Sequence, residues 1–301
     1  MLGKKLNFGD TIGIICPASG DEDEKISSKI EYLKSLGFNV KTGAHAYDKY
    51  GYLAGQDKHR ALDLNYAFQD PTIDAIMCYR GGYGTMRMLS YVDFNLLKNN
   101  PKIFIGYSDI TTLLNYMYKK NNLITFHGPM VGSDLKDFTL DSLLNTLMNG
   151  DKPFYLENPA NIQLKFYGSK SVSGTIIGGN LSLICATLGT PYELDFKDKI
   201  LFIEEIGEEP YSIDRMLCQL TLSNKLHQCA GFILGQFKDC SNEKRLSLEE
   251  VLDHYIFSLN KPVIYNFMCG HDNPKLTLPI GAKAALDMRG HVVEILKPVV
   301  K

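Results

Sequence analysis

Short apolar runs alternate with helical patterns through the first half of the chain, and no other feature restricts the fold as much. Thr11 to Cys16 is an apolar, β-branched run. Pro17 and Gly20 follow it, then a helical segment from Glu22 to Leu36 closed by Gly37. Phe38 to Thr42 reads as the next strand, and a polar, glycine-bearing loop from Gly43 to Gly55 leads to a helix over Gln56 to Phe68. Asp74 to Tyr79 is another strand, ending in the turn Arg80-Gly81-Gly82-Tyr83-Gly84 and followed by a short helix, Thr85 to Ser90. After Pro101, a strand over Lys102 to Tyr107 runs straight into a helix from Asp109 to Tyr118, and Leu123 to Phe126 is a further strand ending at His127-Gly128-Pro129. Short strands separated by helices of about 10–15 residues predict parallel βαβ units with helices on both faces. Such sheets open their ligand crevice at the carboxyl ends of the strands. The turns at Arg80 to Gly84, at Ser108 and at His127 all occupy that edge.

The pattern decays from Asp151 into a polar stretch with Pro153 and Pro159, which reads as a linker. The expected organisation is an N-terminal α/β domain over 1–150, a linker over 151–172 and a C-terminal domain over 173–301. The second half has a glycine-rich entry, Gly174 to Asn180, a strand at Lys199 to Ile203 and a helix at Ser212 to Leu222. A strand at Ala230 to Phe237, a helix at Leu246 to Leu259 and a strand at Pro262 to Phe267 precede β-rich sequence with helical breaks, Leu276 to Leu296. The predicted class is α/β: an N-terminal parallel-sheet sandwich and a smaller, mixed, β-rich C-terminal domain.

Composition narrows the functions. A formal net charge of -2 offers no basic footprint, so nucleic acid is not an expected partner. The seven cysteines form no C-x-x-C and sit mostly among apolar neighbours, as Cys78 and Cys185 do, where a thiol packs as a small hydrophobe. A reducing compartment fits them. Lys4 and Lys5 precede an apolar run, but Asp10 interrupts the approach and Thr11 to Cys16 is shorter than a signal-peptide core. With no segment near the ~18 apolar residues of a membrane span, the expected location is the cytoplasm and no membrane partner is expected.

Four places could carry chemistry. Ser108, in Ile103 to Leu114, lies at a strand-turn-helix that would lift its hydroxyl clear of the sheet, with the Asp109 N–H facing an oxyanion. A plain serine N-cap fits the same local sequence, and Ile110 stands where the hydrolase G-x-S-x-G motif has its last glycine. Arg80 to Gly84 could supply a second oxyanion donor or cradle a phosphate; it is neither G-x-G-x-x-G nor a P-loop. In Ile200 to Leu217 a strand ends in Glu204, Glu205, Glu208 and Glu209. The last two read as a solvated loop. Glu204 and Glu205 point to opposite faces, so only one would turn towards a given site. His271, just past a strand end, is placed to act as a general base, with His127 its rival. His59, His227, His254 and His291 show nothing converging on them. The chain has no H-x-x-x-H or H-E-x-x-H spacing, so no metal and no cofactor is expected.

At these segments the sequence resembles the LD-carboxypeptidase family of serine peptidases, which includes muramoyltetrapeptide carboxypeptidases and microcin C immunity peptidases. Seven ordered blocks spanning nearly the whole chain carry the resemblance. They are Cys16-Pro17-Ala18-Ser19, Arg80 to Gly84, Gly106 to Asp109, His127 to Pro129, Gly178 to Leu183, Glu204 to Leu217 and Gly270 to Gly281. The resemblance implies a two-domain fold with the active site in the interdomain cleft. It implies Ser108 as nucleophile, Glu204 as the orienting acid, His271 as base, and an oxyanion hole from the Asp109 N–H and the Gly82 backbone.

The resemblance further implies release of a C-terminal D-amino acid from an L,D-linked peptide, the murein tetrapeptide of cell-wall recycling, by a homodimer. An exopeptidase must also grip a free carboxylate, for which Arg80 is a candidate beside its reading as a structural ion pair. The microcin-immunity branch instead cleaves a peptidyl adenylate, often holding the base with a tryptophan-bearing loop. This chain has no tryptophan. A non-catalytic nucleotide- or sugar-phosphate-binding module is the alternative from another class.

Overall fold

The computed structural model describes residues 1–241 and 246–301. In the first half, strands β1 (Thr11–Ile15), β2 (Asn39–Thr42), β3 (Ala75–Cys78), β4 (Ile103–Gly106) and β5 (Thr125–His127) alternate with helices. The helices are α1 (Asp23–Ser35), α2 (Asp57–Gln69), α3 (Thr85–Met88), α4 (Phe94–Asn99), α5 (Thr111–Asn121) and α6 (Asp137–Asn149). The β1 to β5 strands pair parallel in the order β5-β4-β3-β1-β2. Every residue of β3 and β4 is buried, as expected where helices cover both faces of a parallel sheet. Among the covering helices, α1 buries Ile26, Ile30 and Leu33, which share a face at helical spacing.

The second half holds β6 (Phe154–Leu156), β7 (Lys165–Tyr167), β8 (Val172–Asn180), β9 (Lys199–Ile206), β10 (Gly231–Lys238), β11 (Val263–Tyr265), β12 (Leu278–Ile280), β13 (Lys283–Asp287) and β14 (Val292–Ile295). Its helices are α7 (Leu181–Ala186), α8 (Pro210–Leu222), α9 (Lys225–Gln228) and α10 (Leu248–Tyr255). The eight-stranded sheet runs β6-β14-β13-β8-β9-β10-β11-β7, parallel from β8 to β11 and antiparallel outside it.

Three placements differ from what the sequence suggests. The stretch over 151–172, expected as a linker, carries β6 and β7, which pair with β14 and β11 at the two edges of the second sheet. β12 leaves the second half altogether and pairs antiparallel with β5 in the first sheet. Gly174 to Asn180, read only as a glycine-rich entry, lies within β8, the longest strand among the described residues. Glycine is normally depleted in strands and often marks a close backbone approach. Here a Cβ on Gly178 would lie 2.0 Å from the Phe202 carbonyl oxygen, and one on Gly179 would lie 2.6 Å from Thr111 Oγ1.

These contacts bind the two halves together. The Asn115 carboxamide of α5 donates to Gly178 O at 2.8 Å and accepts from Gly178 N–H at 2.9 Å, and Asn180 N–H donates to Thr111 Oγ1 at 3.1 Å. Because α5 starts one short turn after Ser108, this clasp fixes where the second sheet stands relative to the serine. All seven cysteines are free thiols. Among the described residues no helix is long and apolar enough to cross a membrane.

Candidate active site

β4 ends at Gly106 and the chain turns sharply through Tyr107 into a single 3-10 turn, Ser108–Ile110, before α5 begins. The sequence places a regular helix at Asp109; the tighter turn is the finer detail. Ser108 has φ 64°. A non-glycine residue is seldom found in that left-handed region, and such strain concentrates where a side chain must be presented. Gly106 permits the turn, since a Cβ there would come within 2.7 Å of Ile110 Cγ2. Ser108 is therefore not a helix cap: Tyr107 holds the N-cap position of the 3-10 turn and Ile110 that of α5.

The Arg80 to Gly84 turn packs on the serine from the side. A Cβ on Gly81 would lie 2.7 Å from Ser108 Cβ and 2.9 Å from its Oγ, so the backbone of Gly81 is the part in contact. Gly82, with φ 113°, abuts Ser19 instead, its Cβ position only 2.3 Å from Ser19 Oγ. Ser19 holds the turn in place, donating its N–H to Gly81 O at 3.2 Å. Gly81→Ala is expected to lower kcat about 10²-fold, the scale of a ~1 Å misplacement of a reacting group, with an unchanged far-UV spectrum; a kcat within twofold of the parent would show that the serine tolerates the shift.

Asp109 points away from the cavity. Its carboxylate accepts the Thr85 N–H at 2.8 Å and its carbonyl accepts the Thr85 hydroxyl at 2.6 Å, tying the start of α3 to the serine turn. Burial pushes its carboxyl above the usual range, opposed by Thr85. The Asp109 carboxylate and carbonyl are thus both engaged by Thr85.

β9 runs on past Ile203 to Ile206, so Glu204 and Glu205 are strand residues on opposite faces. Glu205 turns to one side, where it accepts from Asn180 Nδ2 at 2.7 Å, Ser182 N–H at 2.8 Å and Ser182 Oγ at 2.7 Å, and anchors α7. Glu204 turns to the other and lies 2.6 Å from His271 Nδ1 through Oε2. The Glu204 side chain is fully buried and that of His271 10% exposed. Burial pushes the Glu204 carboxyl up, and the hydrogen bond from His271 pulls it back. With the carboxylate ionised, Nδ1 is the donor of this pair, and a neutral ring then presents its Nε2 lone pair.

The His271 loop is braced by β10. Asp272 N–H donates to Gln236 Oε1 at 3.0 Å, Gln236 Nε2 donates to Pro274 O at 3.2 Å, and Lys238 pairs with Asp272 at 3.5 Å. Tyr107 packs edge-on against the His271 ring, centroids 5.0 Å apart, and the buried Lys275 ammonium sits 4.2 Å from the Tyr107 ring centre. Tyr107, Ser19, Gln236 and Lys275 are site residues that local sequence did not single out. Tyr107, Ser19 and Lys275 fall within the ordered blocks, whereas Gln236 lies outside them and has no such signal.

Ser108 and His271 line one cavity of about 340 Å³, together with Asp21, Arg80, Gly81 and Gly82. Arg80 stands half-exposed among the residues lining this cavity, 3.4 Å from Asp21 Oδ2 and donating to Gly20 O, which is the ion pair of the structural reading. His127, the rival base, is fully buried with no hydrogen bond to either ring nitrogen, and it is not among the cavity residues. Burial pushes its pKa well below the usual histidine range. It packs between Tyr107 and Phe202, as interior filling.

Residues 12–128 match the LD-carboxypeptidase N-terminal domain and residues 173–286 the LD-carboxypeptidase C-terminal domain. A probable murein peptide carboxypeptidase of Bacillus subtilis is 43% identical over 291 residues, covering 94% of this chain and 91% of the relative. The chain belongs to the LD-carboxypeptidase family. Within it, the murein tetrapeptide carboxypeptidase of Pseudomonas aeruginosa is 31% identical, covering 92% of each chain. A structure of MccF in complex with glutamyl sulfamoyl guanosine superposes with a TM-score of 0.92 at 29% identity, covering 100% of this chain and 99% of that one. A muramoyltetrapeptide carboxypeptidase of Oxalobacter formigenes superposes with a TM-score of 0.80 at 30% identity, covering 94% and 97%. The two-sheet, two-domain α/β layout is that of these LD-carboxypeptidases.

Proposed function

We propose that this chain is a serine carboxypeptidase that hydrolyses an L,D-peptide bond and releases a C-terminal D-amino acid, with the murein tetrapeptide as its substrate. One observation supports it above the others: a strained Ser108 and a His271 already paired with buried Glu204 open onto one cavity. The recycling of murein peptides by a cytoplasmic homodimer is the context of this reading.

In the mechanism, His271 Nε2 takes the Ser108 proton as Oγ attacks the scissile carbonyl carbon. Glu204 stabilises the imidazolium that forms. The Asp109 and Gly82 N–H groups receive the oxyanion; removing one such donor typically costs ~10²–10³ in rate. Collapse expels the D-amino acid amine, which takes the proton from His271. Water, activated by the same imidazole, then attacks the acyl-serine and regenerates the hydroxyl.

Arg80 binds the terminal carboxylate of the substrate in this scheme. Its removal then withdraws binding common to the ground and transition states, so Arg80→Ala is expected to raise KM about tenfold with kcat within about threefold. A substrate amidated at its C-terminus would lose nothing further in the variant. Equal losses on both substrates would assign Arg80 to wall structure alone.

A second reading, hydrolysis of a peptidyl adenylate, is favoured by one similarity: the microcin C7 self-immunity protein MccF of Escherichia coli is 31% identical, covering 98% of this chain and 95% of the relative. The absence of tryptophan speaks for the murein peptide. Purified protein offered both substrates side by side decides between them: the expected result is D-alanine release from the tetrapeptide with little turnover of the adenylate, and the reverse preference would overturn the murein assignment. Thermal stabilisation by nucleotides or sugar phosphates, with no turnover of either substrate, would point to the binding-module alternative.

A further inference from the structure

Outside the catalytic cavity, two histidines and an aspartate converge. His45 and Asp48 lie in the loop between β2 and α2, and His59 is in the first turn of α2. Asp48 Oδ2 is 3.0 Å from His45 Nδ1 and 3.2 Å from His59 Nδ1. The two imidazoles stack at 4.1 Å between centroids and 19° between planes. One ligand atom from each of the three residues lies within 4.8 Å of the other two. This overturns the expectation that nothing converges on His59. The spacing, H-x₂-D followed by H in the next helix, matches none of the familiar metal motifs, because a loop and a helix supply the ligands separately.

We propose that His45, Asp48 and His59 bind a divalent transition cation of the zinc class. Two imidazole nitrogens and one carboxylate oxygen are the donors such ions select, whereas magnesium and calcium prefer all-oxygen sites. The ligand atoms need only small side-chain rotations to reach metal-bond lengths of about 2.0–2.2 Å. A bound cation would also account for two imidazole rings lying face to face with their Nδ1 atoms on one carboxylate oxygen.

The surroundings hold the ligands in place. Asp63, four residues after His59 and on the same face of α2, accepts the His45 backbone N–H at 3.0 Å. Gly43 leaves room for that carboxylate, a Cβ there falling 2.3 Å from Asp63 Oδ2. At Gly55, with φ +85°, a Cβ would lie 2.8 Å from Asp48 Cβ and 3.2 Å from its Oδ2. A glycine on each side and a buried carboxylate behind are the kind of support that orients metal ligands.

The site also touches the wall of the catalytic cavity. The carbonyl oxygen of Asp48 is 3.5 Å from where a Cβ on Gly20 would stand, and Gly20 O receives Arg80. In the same loop Tyr52 packs edge-on to Tyr83 of the glycine turn at 5.7 Å. A cation here would stiffen the loop beside the Asp21–Arg80 pair without meeting the reacting atoms.

The test uses the full-length protein, stripped with chelator and titrated with Co²⁺ and with Zn²⁺. The expected result is one equivalent bound, visible Co²⁺ bands of a site with nitrogen ligands, and a higher Tm. His59→Gln and Asp48→Asn should each weaken binding at least tenfold, whereas His271→Gln should leave it unchanged. Binding that survives both loop variants, binding lost in His271→Gln, or no stoichiometric binding by the parent would each overturn the proposal. Melting curves in chelator check that the variants are folded, and nitrogen ligation in the Co²⁺ spectrum of the parent stands as a readout that needs no variant.

Discussion

Ser108→Ala is expected to lower turnover of an L,D-tetrapeptide by roughly 10⁴- to 10⁶-fold, the range that follows loss of a serine nucleophile acting with its base. The alcohol is the only side chain in the proposed mechanism that forms a covalent bond to substrate. Stability should move little. Alanine removes one oxygen from a position already open to a cavity, and the side chain caps no helix. The left-handed backbone at φ 64° is imposed by the β4-to-α5 turn and remains. The measurement is D-alanine release by wild type and variant at equal concentration, with Tm and far-UV circular dichroism alongside. Turnover within tenfold of wild type would end the serine-peptidase reading, and a Tm lowered by many degrees would mean the variant reports on folding instead.

Glu204→Gln should be nearly as damaging to catalysis and should act on stability in the opposite sense. Glutamine is close in size but neutral, so the imidazolium loses its counter-charge and the ring is free to adopt the wrong tautomer. The corresponding change in a serine-peptidase triad costs about 10⁴ in kcat. For stability, the sign follows from burial. The folded Glu204 carboxyl has a raised pKa, chiefly from desolvation, so the native state holds its proton to higher pH than the unfolded chain does. As pH rises from the unfolded value through the folded one, the native state binds more protons than the unfolded state and stability falls. Glutamine has no such titration. The Tm of the variant relative to wild type should therefore climb as pH rises through and above the ordinary glutamate range, and the two should converge below it. A variant that is inactive yet equally or more stable at neutral pH fits a carboxylate kept for function at a cost in stability. A Tm gap that shrinks as pH rises would mean that pairing with His271, not burial, dominates at this position.

Parallel strands were legible because each is a compact run of apolar, often β-branched residues bounded by glycine or proline, and burial on both faces leaves no polar alternation to confuse the pattern. β3 and β4, with all residues buried, are the clearest cases. Edge strands were not. Lys165–Tyr167 and Phe154–Leu156 are three residues each and half polar in surroundings, and they are strands only because an edge offers them hydrogen bonds. β8 was hidden for another reason: its glycines weaken a strand by propensity, and the close approach of Phe202 and Thr111 that makes them necessary comes from other parts of the chain.

Of the candidate site, local sequence could say that a serine stood on a strand-turn-helix, that one of two adjacent glutamates faced each side of a strand, and that a histidine followed a strand end. Nothing local chose Ser108 as nucleophile over helix cap, Glu204 over Glu205, or His271 over His127; the family resemblance did. The amino-acid order by itself determined the βαβ alternation, the position of each turn along the crevice edge and the membership of a family, since these depend on neighbours within a few residues or on ordered blocks. Only the tertiary structure decided that Glu204 meets His271 across 67 positions, that β12 returns to the first sheet, and that His45, Asp48 and His59 face one point. Those facts depend on how the Asn115–Gly178 clasp and the register of β8 against β9 seat one sheet on the other, and no periodicity within a segment encodes the distance between two segments.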